Sequence, residues 1–140
     1  MTSETHHDLL RSIPLFAGAD PADLEALAAV ATEADFPAGR SVVRQGDPGS
    51  GLFVVLEGTV RVVRDGELLA ELGPGKWFGE LAVLDRGPRT AAVVTEVPTR
   101  CLAVAAWDAE RLMLERPTLA VAVARAMAER LRGVLEDHHG

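Results

Sequence analysis

Between Lys76 and Val94 the chain reads KWFGELAVLDRGPRTAAVV, and the residues with chemistry to offer there are Gly79, Glu80 and Arg89. A strand that turns at Gly79 into the helically spaced run ELAVL leaves the amide N–H groups of Leu81 and Ala82 without intrahelical partners. Those amides, with the positive end of a helix, make a place for an anion. A glycine lets the anion approach the backbone. Arg89 follows Pro88, which favours an extended path into the next strand and aims a guanidinium back at the same point. Arginine grips phosphate through paired N–H donors. Glu80 offers a carboxylate that accepts hydrogen bonds from hydroxyls, such as those of a sugar. The set suits a compact nucleotide with a single phosphate charge, such as a cyclic phosphodiester. A triphosphate calls for more, and neither the pattern G-x-x-x-x-G-K-[ST] nor a Mg2+ constellation occurs. The alternative is a surface ion pair between Glu80 and Arg89, worth about 0–1 kcal/mol.

The elements that must position these residues fall into three zones. The first, to about Glu33, reads as helical: Asp20 before Pro21 is a start signal, Asp23 completes a capping box, and LEALAAVA continues with helical apolar spacing. The second, roughly Phe36 to Ala105, reads as β. SVVRQ, LFVVLEG, TVRVVRD, ELLAEL, TAAVVTE and TRCLAVA are short Val-rich runs punctuated by glycines, and Asp65-Gly66 predicts a two-residue hairpin. Strands of this length and spacing point to a sandwich or barrel, not to a parallel sheet with crossover helices. The third zone returns to helix, from Asp108 to near Pro117 and then through TLAVAVARAMAERLRGVLED with Thr118 as a cap. Its apolar stripe runs Leu119, Val123, Met127, Leu131, Val134, with Arg130 on or beside it.

Composition narrows the classes. The chain has 140 residues, 48% of them hydrophobic and 25% charged, which suits a single globular domain. A net charge of −7 disfavours nonspecific binding to nucleic acid or a membrane surface, although a locally positive pocket for a small anion remains compatible with it. Neither a membrane-spanning run nor a signal peptide is evident. The single cysteine, Cys101, makes the cytoplasm the default compartment and reads as a buried core thiol in TRCLAVA. The histidines at 6, 7, 138 and 139 lie at the chain ends and read as solvated tails, whereas Trp77 and Trp107 read as core.

FGELAVLDRGPRTAAVV resembles the phosphate-binding cassette of the cyclic nucleotide-binding domain family, which includes the bacterial catabolite activator, protein-kinase regulatory subunits and cyclic-nucleotide-gated channels. The likeness extends to IPLFAGADPADLEALA, FPAGRSVVRQGDPGSGLFVVLEGTVRVV and LGPGKWFGE, and so covers nearly the whole chain. It implies one domain over 1–140, an eight-stranded β jelly roll with N-terminal helices (1–34), a β-roll (35–106) holding the cassette (78–92), and hinge and lid helices (107–140). It implies that Glu80 binds the ribose 2′-hydroxyl and Arg89 the cyclic phosphate, with backbone groups of Gly79, Leu81, Ala82 and Ala91 and the hydroxyl of Thr90 contributing. Arg130 is the residue implied to meet the purine, with Arg132 as second choice. Thr90 is compatible with both cAMP and cGMP.

The resulting expectation is a sensing module that performs no chemistry, binds cAMP or cGMP, uses no metal, and signals through its C-terminal helices to an unidentified protein effector. A metal-dependent enzyme on a similar β-roll needs inward histidines, and the β zone contains none. A transcription regulator of the catabolite-activator type needs a helix-turn-helix after the long helix, and none follows LRGVLEDHHG here, so direct DNA binding is not expected; the alternative is that the chain is a fragment of such a regulator. An interaction module that leaves its pocket empty is a further alternative. The apolar face of the last helix is expected either to pair with a second copy, giving a homodimer, or to fold back on the roll.

Overall fold

The computed structural model describes residues 3–44, 46, 51–79 and 90–139. The chain divides into two compact units, a helical one from residues 1–29 and 111–140 and a β one spanning 30–110.

Within the β unit the described strands are β1 (Thr32–Phe36), β2 (Ser41–Val43), β3 (Gly51–Glu57), β4 (Val60–Arg64), β5 (Glu67–Leu72), β6 (Trp77–Phe78), β7 (Ala92–Thr95) and β8 (Thr99–Ala105). They form two four-stranded antiparallel sheets in the orders β1-β8-β3-β6 and β2-β7-β4-β5. This is the double-sheet arrangement of a jelly roll, the fold that the family resemblance implied and a sandwich of the kind the Val-rich runs pointed to. Val55, Phe78 and Cys101 from one sheet meet Val43, Val60 and Val93 from the other in a single buried cluster. The rings of Phe53 and Phe78 stack beside it with centroids 5.1 Å apart. The central strands β3 and β8 carry buried residues at consecutive positions, which is why LFVV and CLAV run apolar without alternation.

The turns follow local chemistry. Asp65 and Gly66 take φ of 53° and 80°, the left-handed pair that closes a two-residue hairpin between Arg64 and its partner Glu67. The buried Thr95 hydroxyl donates to the Pro37 carbonyl at 2.6 Å and accepts from the Arg40 amide at 2.8 Å, fixing the β1–β2 turn against β7. Strand β1 begins at Thr32, inside the stretch read as helical. TEADF lacks an apolar run, and its pairing with β8 sets Asp35 opposite Arg100, whose Nε donates to Oδ1 at 2.8 Å.

The helices are α1 (Ser3–Arg11), a 3-10 turn (Pro14–Phe16), α2 (Pro21–Val30), α3 (Ala106–Glu115) and α4 (Pro117–His139). In the helical unit α4 packs on the 3-10 turn. Leu10, Leu15, Phe16, Leu24, Leu27, Leu119 and Val123 are among its buried side chains. One half of the capping box is present: the Asp20 amide donates to Asp23 Oδ2 at 3.1 Å.

Further expectations need correction. Helix α3 starts at Ala106, ahead of Asp108, because it continues directly from β8. Helix α4 starts at Pro117, so Thr118 lies inside its first turn and its hydroxyl serves Asp23 instead of capping. His6 is buried in α1 and the His7 ring lies 3.3 Å from the Pro21 carbonyl, so these are not solvated tails. Trp77 is buried as expected, but Trp107 is 73% exposed. The α4 stripe also divides: Leu119 and Val123 are buried, Met127 is half-buried, and Leu131 and Val134 are exposed. Among the described residues no helix is long and apolar enough to cross a membrane.

Candidate functional site

The approach to Gly79 is held by the β3–β6 pairing, with Phe53 opposite Phe78 and Val54 opposite Trp77. The turn before it is closed by hydrogen bonds from the Gly75 amide to the Val55 carbonyl and from the Val55 amide to the Lys76 carbonyl, both 2.8 Å. Two buried aromatic residues, Trp77 and Phe78, anchor the strand, and the chain then reaches Gly79 at a φ of 93°. That angle lies where a Cβ is disfavoured, so the turn requires glycine.

The chain returns through exposed Thr90 and buried Ala91 into β7, which pairs with β4 on one side and β2 on the other. It therefore leaves one sheet at the edge strand β6 and re-enters the other at an inner strand. Of the expected site residues, Gly79, Thr90 and Ala91 belong to the β unit. Glu80, Leu81, Ala82 and Arg89 lie outside the described residues. Arg130 and Arg132 are exposed on α4, in the helical unit.

The charged groups with perturbed titration serve the scaffold. The hydrogen bond and charge of Asp35, with Glu57 and Glu33 beyond it, hold the Arg100 guanidinium above its ordinary range. Burial pushes the Cys101 thiol up to about 11, as befits a core residue. Burial alone would raise the Asp23 carboxyl, but hydrogen bonds from Thr118, Arg116 and the Asp20 amide outweigh it and leave the group below its ordinary value. Among the described residues no cluster of three or more His, Cys, Asp or Glu is placed to hold a metal ion.

The Asp23 network is what sequence reasoning missed. Asp23 read as one half of a capping box, and it is that, yet it is also fully buried and bonded to Arg116 and Thr118. A signal was present in Arg116-Pro117-Thr118, a cation and a hydroxyl flanking a proline between two helical patterns. Nothing local in that tripeptide points to α2.

A protein-family model described as cyclic nucleotide-binding domain matches residues 33–116. The CRP-like cAMP-activated global transcriptional regulator of Mycobacterium tuberculosis is 32% identical over 130 residues, which cover 89% of this chain and 58% of that protein. The cyclic AMP receptor protein of Thermus thermophilus is 34% identical over 128 residues, covering 88% of this chain and 59% of that one. The chain thus spans less than two thirds of the length of either curated relative. The crystal structure of the N-terminal domain of a transcriptional regulator from Streptomyces coelicolor A3(2) superposes with a TM-score of 0.77 at 38% identity, covering 94% of this chain and 95% of that one.

Proposed function

Since this chain belongs to the cyclic nucleotide-binding domain family, we propose that it binds cAMP or cGMP in the segment between Gly79 and Ala91 and works as a ligand-sensing module without chemistry of its own. Arg89 pairs with the cyclic phosphate, helped by the backbone of Gly79, Leu81, Ala82 and Ala91 and by the Thr90 hydroxyl. Glu80 accepts from the ribose 2′-hydroxyl, and Arg130 meets the base. The observation that carries this reading is the family match across 33–116, which contains the whole Gly79–Ala91 segment. The left-handed backbone at Gly79 supports it, because it calls for a residue without a side chain, and such a residue lets an anion come close to the main chain. The response is a population shift: the nucleotide favours one arrangement of the C-terminal helices by its differential affinity for the two. Calorimetric titration of both nucleotides tests the reading and separates cAMP from cGMP.

Helix α4 supplies a surface for a second copy. Val121, Ala124, Ala128, Leu131 and Leu135 are exposed and follow one another at alternating intervals of three and four, the seam of a two-stranded coiled coil. Val121 is 46% exposed, Leu131 59% and Leu135 52%, high values for apolar side chains of this size. A homodimer through this seam is part of the proposal. Analytical ultracentrifugation tests it, with Leu131→Glu expected to give a monomer.

A second reading is favoured by one observation, the relation to an N-terminal domain of a transcriptional regulator over 94% of this chain. In that reading the chain is the sensor portion of a catabolite-activator-type regulator. Its own net charge of −7 still makes it a poor DNA ligand by itself. A mobility shift of duplex DNA by this chain alone, with and without cAMP, separates binding by these residues from binding by another segment.

A further inference from the structure

Helices α3 and α4 meet at Arg116-Pro117-Thr118, and the helical hydrogen-bond ladder is interrupted there. The Arg116 amide closes on the Leu112 carbonyl at 2.8 Å, while the Leu119 and Ala120 amides turn back to the Arg116 carbonyl at 3.1 and 3.2 Å. Arg116 thus ends one helix and begins the next. Pro117 has no N–H to continue the ladder and disfavours helical backbone at the residue before it. Main-chain hydrogen bonding therefore leaves the direction of the corner weakly determined.

Side chains supply what the backbone lacks. The Asp23 carboxylate, at 0% exposure, takes Arg116 Nε on Oδ1 at 2.7 Å and Thr118 Oγ1 on Oδ2 at 2.6 Å. The Asp20 amide adds a third donor to Oδ2 at 3.1 Å. Both residues flanking Pro117 are thereby tied to a single group on α2. Two of these partners lie near water. The Arg116 side chain is 33% exposed, and Thr118 borders an open groove of about 240 Å³ lined also by Asp20, Pro117, Val121 and Arg125. A buried ion pair adds little net stability over well-packed apolar residues, but removing one member leaves a costly unpaired group. Such a pair is suited to setting direction.

We propose that Asp23 is an ionic latch, a positioning residue that holds the Arg116–Thr118 corner onto α2, and that α2 and the first turns of α4 open together when the latch is broken. The latch is independent of what the β unit binds.

Hydrogen exchange of the full chain without ligand tests it. Asp23→Asn should speed exchange at least tenfold in residues 21–28 and 117–123 while β3 and β8 keep wild-type rates. Thr118→Val, which removes one donor from an exposed residue, should speed the same two segments by a smaller factor, and Thr118→Ser should restore wild-type rates. Unchanged exchange in Asp23→Asn overturns the latch, as does acceleration spread equally over β3 and β8. Should Asp23→Asn fail to fold, Thr118→Val decides alone: no change at 21–28 and 117–123 overturns the proposal.

Discussion

Asp23 and Arg116 stand 93 positions apart and meet at 2.7 Å, a carboxylate without solvent exposure against a guanidinium one third exposed. The pair joins a residue of the second helix to the boundary between the last two. Three donors on one carboxylate make its ionised form the better bonded one, which is why the acid stays below its ordinary value despite burial.

That depressed acidity has a signed consequence. An acid whose folded-state pKa lies below its unfolded value contributes stability that is fully present above the unfolded value and is lost as pH falls through the folded one. For Asp23 the contribution is complete above the ordinary value of 3.8 and is lost progressively as pH falls from there through the lower folded-state value. Asp23→Asn should lower the stability of the helical unit at neutral pH by about 2–3 kcal/mol and leave that of the β unit unchanged, a smaller loss than for a fully buried pair because water reaches Arg116. It should also flatten the acid limb of the stability curve. Urea denaturation from neutral pH down to about pH 3 measures both; an acid limb as steep as that of the wild type removes Asp23 from the explanation.

Thr95 should behave as a structural hydroxyl. Thr95→Val keeps the shape but leaves the Pro37 carbonyl and the Arg40 amide without the bonds of 2.6 and 2.8 Å they now share. A loss of about 1–3 kcal/mol is expected, read as a lower denaturation midpoint at unchanged slope. A shift of less than about 0.5 kcal/mol shows that water replaces both bonds.

Cys101 should be silent in the folded protein. It has no exposed surface, and burial holds its thiol near 11. A thiol-specific disulfide reagent at pH 8 should label it only at the rate of global unfolding, and at once in denaturant. Rapid labelling of native protein shows that the core between the sheets opens locally.

The roll was legible because its strands carry their own pattern. LFVVLEG, TVRVVRD, ELLAEL and TRCLAVA became β3, β4, β5 and β8, and Asp65-Gly66 closed the hairpin its residue types require. Strand β1 was not, since TEADF lacks an apolar run and is held by its pairing with β8, more than 60 positions away, which no local window contains. Thr118 shows the same limit: its type suited a cap, and only the approach of α2 gives the hydroxyl another partner. At the candidate site the turn at Gly79 was readable, and its φ is 93°, whereas Trp107, read as core, lies on the surface of α3.

Dimerisation through α4 has its own consequence. If Leu131 and Leu135 pack against a second copy, Leu131→Glu should shift the sedimentation coefficient from dimer to monomer while leaving the β unit's unfolding midpoint within about 0.5 kcal/mol of the wild type. A wild-type monomer at high micromolar concentration removes the seam from the account.

The role given to Arg89 is tested most directly by titrating cAMP and cGMP into the wild type and into Arg89→Ala by calorimetry. Binding of at least one nucleotide by the wild type is expected, weakened at least about thirtyfold in the mutant, a loss of about 2 kcal/mol or more, as for other buried charge pairs that lose one partner. The ligand-free melting temperature should not change. Equal affinity in the two proteins, or no binding of either nucleotide at millimolar concentration, contradicts the assignment.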